Sequence, residues 1–273
     1  TGVGTLVHAV LETADLTAGE LGAELAAHAR AQLAVRPTAG VDPTALAAAL
    51  VPVALTPLGP LAGGLRLADI APRDRLAELD FELPLAGGDA AGREGPAAAL
   101  TLGALVPLLR EHLAPADPLA RYPDLLAAPG TAAQPLRGYL TGSIDAVLRL
   151  PGASPRFAVV DYKTNWLGPV GPEGPEPLTA AHYAPPLLAE AMMSAHYPLQ
   201  ALLYAVALHR FLRWRLPGYD PERHLGGVLY LFLRGMCGPQ TPTVDGVPCG
   251  VFAWEPSAAL VVALSELLHR GAR

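Results

Sequence analysis

The chain has 273 residues, a formal net charge of −6, 51% hydrophobic residues, 29 Pro and 28 Gly. That is ample for a core in one large domain or two small ones, and the negative balance excludes a global positive field for nucleic acid, so any DNA contact must come from local arginines or a partner. No run of about 18 uninterrupted apolar residues marks a membrane span, and Cys237 and Cys249 are too few for an all-cysteine zinc site or an iron–sulfur cluster. Cysteine use of this kind fits a reducing, cytoplasmic setting with free thiols. The start at Thr1-Gly2, with no charged segment leading into an apolar one, reads as a piece of a longer protein without a secretory signal.

The first third has a helical pattern. Leu6, Val7, Val10 and Leu11 form an apolar face, and 20–33 repeats the 3.6-residue period until Arg36-Pro37 ends it. Asp42-Pro43 opens another helix, with Asp as N-cap and Pro at the first helical position. Pro- and Gly-rich loops are expected at 52–64, 87–96, 151–155 and 168–177. Around 75–85 the period changes: Leu79, Phe81, Leu83 and Leu85 alternate with Glu78, Asp80 and Glu82, which predicts a half-buried strand with the three acids on one face. The Ala-, Leu- and Pro-rich stretch at 96–129 reads as a helical connection.

Two extended runs, 140–150 and 156–163, flank Pro151-Gly152-Ala153-Ser154-Pro155, a loop of hairpin length and composition. Alternate strand residues share a face, so Asp161 and Lys163 point one way and Tyr162 the other, and pairing across the hairpin can bring Asp145 beside Asp161. Beyond the next loop, 189–216 predicts a long amphipathic helix with Gln200 and Tyr204 as i, i+4 neighbours and, near its end, Arg210, Arg213 and Arg215 as the candidates for local DNA contact. A last apolar strand at 226–233 and a helix at 257–269 capped by Ser257 close the chain.

Lys163 is the only lysine; every other basic residue counted in the net charge is Arg. An ammonium is a compact charge on a flexible stem whereas a guanidinium is a planar, permanently charged fork, so a lone Lys among arginines is a candidate for chemistry that Arg cannot perform. Two carboxylates and a lysine on one strand face suit metal-dependent phosphodiester hydrolysis: hard oxygens hold Mg²⁺ and the Lys orients a water. A cross-strand ion pair on an ordinary sheet produces the same Asp-x-Lys pattern.

Longer blocks extend the pattern. Gly142-Ser143-Ile144-Asp145 and Val159-Val160-Asp161-Tyr162-Lys163-Thr164-Asn165-Trp166-Leu167-Gly168 resemble the RecB-type nuclease core of bacterial helicase–nuclease complexes (RecBCD, exodeoxyribonuclease V), within the PD-(D/E)xK superfamily. The likeness continues at Gly4-Thr5-Leu6-Val7-His8, at Tyr197-Pro198-Leu199-Gln200 through Tyr204 to Arg210, and at Gly226 to Gly235, in the family's order along nearly the whole chain.

The resemblance implies an α/β fold, a mixed central β-sheet flanked by helices in the restriction-endonuclease-like manner. It implies a single domain over 1–273: a helical N-terminal part (1–75), a catalytic core (76–235) with a helical insertion at about 96–129, and a C-terminal tail and helix (236–273). It further implies that His8, Asp145, Asp161 and the backbone carbonyl of Tyr162 ligate Mg²⁺ or Mn²⁺. Lys163 becomes the catalytic base or water-orienting group, Glu78 matches the family's earlier acid with Asp80 and Glu82 on the same face as alternatives, and Gln200 and Tyr204 form an element near DNA or the site. Trp166 is placed either to stack on a base or in the core. Implied partners are DNA strands from unwound duplex ends, RecC-like and RecD-like subunits, and an N-terminal helicase portion of the same parent chain. With its one Lys at position 163 the chain has no Gly-x-x-x-x-Gly-Lys loop, so it is not expected to hydrolyse ATP. The alternative is an inactive nuclease-like module that holds DNA or serves structurally; the presence of His8, Asp145, Asp161 and Lys163 together favours catalysis.

Overall fold

A long hairpin is the spine of the molecule. In the computed structural model, which describes residues 2–86 and 100–270, strands β2 (Tyr139–Leu150) and β3 (Arg156–Lys163) pair antiparallel. Strand β1 (Arg75–Pro84) pairs with β2, and β4 (Leu225–Phe232) runs parallel to β3. The sheet order is β1-β2-β3-β4-β5, where β5 (Val251–Trp254) is a four-residue edge strand antiparallel to β4. The expected loop at 87–96 lies outside the described residues.

Each sheet face carries its own layer. Helices α1 (Gly2–Thr13), α2 (Leu21–Val35) and α3 (Pro43–Leu55) bury Leu6, Val10, Leu25 and Leu50 against Leu148, Val160, Tyr162 and Leu231. Short helix α4 (Val106–His112), α5 (Pro185–Ser194), α6 (Tyr197–Arg215) and α7 (Ala258–Arg270) pack on the other face with Val159, Val228, Tyr230 and Phe232. The central strands β3 and β4 are covered on both sides, so they read in sequence as continuous apolar runs rather than alternating ones. Caps follow the expected chemistry: Asp42 accepts from Ala45 N at 2.7 Å, and Ser257 Oγ accepts from Leu260 N at 3.2 Å. Arg75 on β1 donates to the Leu11 and Ala14 carbonyls, which ties the C-terminal end of α1 to the sheet.

Three expectations change. The helix predicted over 189–216 is two helices, α5 and α6, with His196 between them at φ +55°. Pro198 is the reason: a proline is tolerated in the first turn, not the interior, so it restarts the helix instead of continuing it. Strand β5 has only four residues, too few for an alternating pattern to declare it. Finally, exposure alternates along β1 as expected, but the β1–β2 pair is not regular. Ala77 pairs with Ala146 and Leu79 with Ile144, yet Ala146 belongs to the α1–α3 core and Ile144 to the opposite one. Both strands therefore change faces at Glu78 and Asp145. Glu78 takes φ +50°, a left-handed conformation that is uncommon for a residue with a Cβ and that clusters at functional sites.

The connection at 100–135 consists of short helical turns, and Cys237 and Cys249 are both free. Among the described residues no helix is long and apolar enough to cross a membrane.

Candidate active site

The break in the sheet opens the site. Pairing of β2 with β3 runs from Leu150↔Arg156 to Ala146↔Val160 and stops there. One step further, Asp145 replaces the missing strand partner: its Oδ2 accepts the Tyr162 N–H at 2.7 Å. Its Oδ1 lies 3.3 Å from His8 Nδ1 on α1. That hydrogen bond is the main cause of a raised His8 pKa; burial opposes it, and the charges of Asp145 and Asp161 and the backbone carbonyl of Tyr162 add to it. Thr5, His8, Ala9 and Glu12 lie along one face of α1, as spacings of three and four residues dictate. With Arg36, Glu78, Ser143, Asp145 and Tyr162 they line a hollow of about 170 Å³. Burial raises the Glu12 pKa, and a hydrogen bond shared with its neighbour Glu78, which protonated Glu12 donates, raises it further. Glu78, Asp80 and Glu82 are all exposed in the alternation of β1, but Asp80 and Glu82 border a different hollow with Phe81, Thr141 and Gly142, and of the three it is Glu78 that lines the hollow with His8 and Asp145.

The second half of the site lies toward α6. Asp161 is 3% exposed, and burial pushes its carboxyl up to about 6 against the pull of Lys163, while Asp145 pushes it the same way as burial. Lys163 Nζ sits 2.7 Å from Asp161 Oδ2 and donates to Gln200 Oε1 at 3.1 Å. Gln200 Nε2 donates in turn to Tyr204 OH at 2.9 Å. Tyr204 meets the Phe81 ring edge-on at 5.9 Å, and a Cβ on Gly142 would come within 2.7 Å of that ring, so the glycine lets Phe81 lie across the strand.

The structure thus brings His8, Asp145, the Tyr162 backbone and Glu78 together on one side, and Asp161, Lys163, Gln200 and Tyr204 on the other. Among the described residues no three His, Cys, Asp or Glu side chains converge into a ready-made metal cage. The donor chemistry nonetheless fits a hard divalent cation. Asp145 and Asp161 are close enough to raise the proton affinity of Asp161, an imidazole and a backbone carbonyl stand by, and a doubly positive ion would offset that mutual repulsion. Of the other candidates, Arg210 is committed to the Ser265 hydroxyl and carbonyl, Arg215 lies over the exposed Trp214, and half-buried Trp166 faces the Arg234 guanidinium. Residues not singled out from sequence are Glu12, Arg36, Tyr197 and Tyr230; the spacing of four between His8 and Glu12 is the one signal that could have found the first of them.

The raised values carry a stability consequence. Folded Asp161 and His8 hold protons more tightly than the unfolded chain, so their stabilisation is complete below the unfolded values and is lost as pH rises, through about 6 for Asp161 and above 6.5 for His8. In a chelator the urea midpoint is expected to fall between roughly pH 5.5 and 7.5, with Asp161 contributing on the order of 1 kcal/mol. A midpoint that rises across this window would contradict both shifts.

No family model matches the chain. It is 59% identical over 265 residues to the RecBCD enzyme subunit RecB of Mycolicibacterium smegmatis, which covers 97% of this chain and 23% of that subunit. It is 57% identical over 272 residues to RecB of Mycobacterium tuberculosis, covering 98% of this chain and 24% of the relative. Against RecB of Escherichia coli it is 34% identical over 206 residues, 75% of this chain and 14% of the relative. The chain spans about a quarter of the length of the mycobacterial relatives it matches. Identity at this level along almost all of its residues means that the chain belongs to the RecB family, as a segment of such a subunit.

Proposed function

We propose that this segment is the metal-dependent nuclease part of a RecBCD-type helicase–nuclease, hydrolysing phosphodiester bonds in DNA strands freed at duplex ends during recombination repair. The observation that carries the reading is the split of β2 from β3 at Asp145, which sets the Asp145–His8 pair and the Asp161–Lys163 pair on either side of one strand end. In this reading His8, Asp145, Asp161 and the Tyr162 carbonyl hold Mg²⁺ or Mn²⁺. Such an ion lowers the pKa of a bound water and stabilises charge on the phosphate. Lys163 holds the attacking water in line, and Gln200, fixed by Tyr204, keeps the ammonium from collapsing wholly onto Asp161. Glu78 and Glu12 add negative charge to the hollow beside His8 and Asp145, which favours a cation there.

The remaining parts of the machine follow from the same reading: ATP-driven unwinding by the rest of the parent chain, RecC-like and RecD-like partners that deliver single strands, and a cytoplasmic setting. The test is cleavage of linear DNA by the 273-residue chain and, in parallel, by a full RecB-type subunit carrying it, after chelation and again with Mg²⁺ or Mn²⁺. Cutting that appears only with the divalent ion is expected in at least one context. Metal-dependent cutting in neither, with DNA still bound, would instead make the segment a holding module.

A further inference from the structure

We propose that Tyr197 and Tyr230 are positioning residues for Lys163, an aromatic bracket that aims its ammonium. The inference rests on the nuclease reading for what Lys163 does and on geometry for how it is held. The Lys163 side chain is only 12% exposed, unusually low for a residue type that normally keeps its head in water. An ammonium has three donors and no acceptor. The charge pairs with Asp161 Oδ2 at 2.7 Å, and one donor reaches Gln200 Oε1 at 3.1 Å. The remaining side of the charge faces π-electrons: Nζ lies 4.0 Å from the centroid of the Tyr197 ring and 5.2 Å from that of Tyr230. Both are within the range in which a ring face attracts a cation, and the attraction is strongest where water is excluded.

The bracket is built from three elements. Tyr230 on β4 stands beside Asp161 in the parallel register and is fully buried. Its hydroxyl donates to Gln200 Oε1 at 3.0 Å, so the same amide oxygen that receives Lys163 is held by a second donor. Because the ammonium can only donate, the Gln200 amide turns its oxygen to the lysine and its Nε2 to the Tyr204 hydroxyl. Tyr197 opens α6 three residues before Gln200, on the same helix face, and its ring stacks on Tyr230 with centroids 5.9 Å apart and planes at 27°. Its hydroxyl takes a hydrogen bond from Asn165 Nδ2 at 3.2 Å, which anchors the ring to the chain just past β3. An ordinary core pair would need none of this: the two rings could pack on each other without presenting a face to the one lysine of the chain.

The two tyrosines act through different parts, and that separates positioning from packing. Tyr197 contributes its ring face, which Phe keeps and Leu lacks; Tyr230 contributes its hydroxyl as well, which Phe lacks. Because Lys163 is the only lysine, selectively ¹³C-labelled lysine in the 273-residue chain gives one ε-methylene signal. In the parent that signal is expected well upfield of an exposed lysine because of the ring currents. It moves toward the exposed position in Tyr197→Leu and stays in place in Tyr197→Phe. Cleavage is expected to follow: Tyr197→Leu lowers kcat by about ten- to a hundredfold, as misplacement on the order of 1 Å does, with Mn²⁺ affinity and KM kept. Tyr197→Phe recovers most of that loss, and Tyr230→Phe falls between, its effect merging with that of Gln200→Leu in the double variant instead of adding.

A parent lysine signal at the exposed position overturns the bracket without any variant, so a leucine variant that fails to fold does not leave the question open. A Tyr197→Phe variant as impaired as Tyr197→Leu overturns it too, since the ring face would then not be the active part. Lys163→Ala distinguishes this failure from that of the nuclease reading. If Lys163→Ala cuts at the parental rate, the role given to Lys163 falls; if it is inactive while Tyr197→Leu is not, only the bracket falls.

Discussion

Asp161→Ala is expected to abolish divalent-ion binding and to lower DNA cleavage by on the order of 10²–10³-fold or more, the range seen when one fixed stabilising group is lost from a reacting centre. Asp161 is the most buried acid of the site, at 3% exposure, and it keeps a carboxyl that burial alone would drive toward the neutral form. Lys163 opposes that drive from 2.7 Å, and a bound cation would oppose it further. Alanine removes the oxygen that would ligate the ion and, in the same stroke, strands an ammonium that is 12% exposed. Breaking a buried pair from one side costs about 3–5 kcal/mol, so part of the damage would be to the fold. Asp161→Asn separates the two effects, because it keeps the volume and an oxygen within reach of Lys163 but not the charge. Calorimetric titration with Mn²⁺ and thermal melts on both variants give the answer. A folded Asp161→Asn chain that binds Mn²⁺ as tightly as the parent would remove Asp161 from the metal site.

Much of this site was legible in the sequence because its elements are local. The hairpin of β2 and β3 announces itself by two apolar runs around a Pro/Gly loop, and the period of two fixes Asp161 and Lys163 on one face. The i, i+4 pair of Gln200 and Tyr204 is likewise a matter of counting along one helix. His8 is different: it is 137 residues from Asp145, and only the resemblance to a family, not any spacing, joined the two before their 3.3 Å contact was seen. Glu78 shows the limit from the other side. A regular alternation of Leu and acid predicts a regular strand, and the alternation is kept, but nothing in it declares the left-handed residue at Glu78 or the gap in the pairing of β1 with β2 beside Asp145. Such strain is set by the tertiary packing of two cores on one sheet, and no single-strand pattern encodes it. Tyr230 was hidden for a related reason. On a strand covered on both faces every residue looks like core, and its hydroxyl becomes informative only when parallel pairing sets it next to Asp161 and Gln200.

Lys163→Arg is the substitution that the composition of the chain makes look harmless, since every other basic side chain in its charge count is already Arg. Were Lys163 only a surface cation, arginine would preserve its charge, and the cost would be that of an exposed ion pair, roughly 0–1 kcal/mol. The pocket argues otherwise. The ammonium fits a point between Asp161 Oδ2 at 2.7 Å, Gln200 Oε1 at 3.1 Å and the Tyr197 ring at 4.0 Å. A guanidinium is a larger planar fork; it can lie flat on Tyr197 and still pair with Asp161, but only by pushing its nitrogens past the position of Nζ or displacing the Gln200 amide. The fold and the Mn²⁺ affinity are therefore expected to survive, because the ion pair does. Cleavage is expected to fall about a hundredfold, the cost of moving a water-orienting group by on the order of 1 Å. The measurement is single-turnover cutting of linear DNA in a context where the parent is active, with Mn²⁺ titration beside it. An arginine variant that cuts at near-parental speed would mean that the site asks of this residue only its charge.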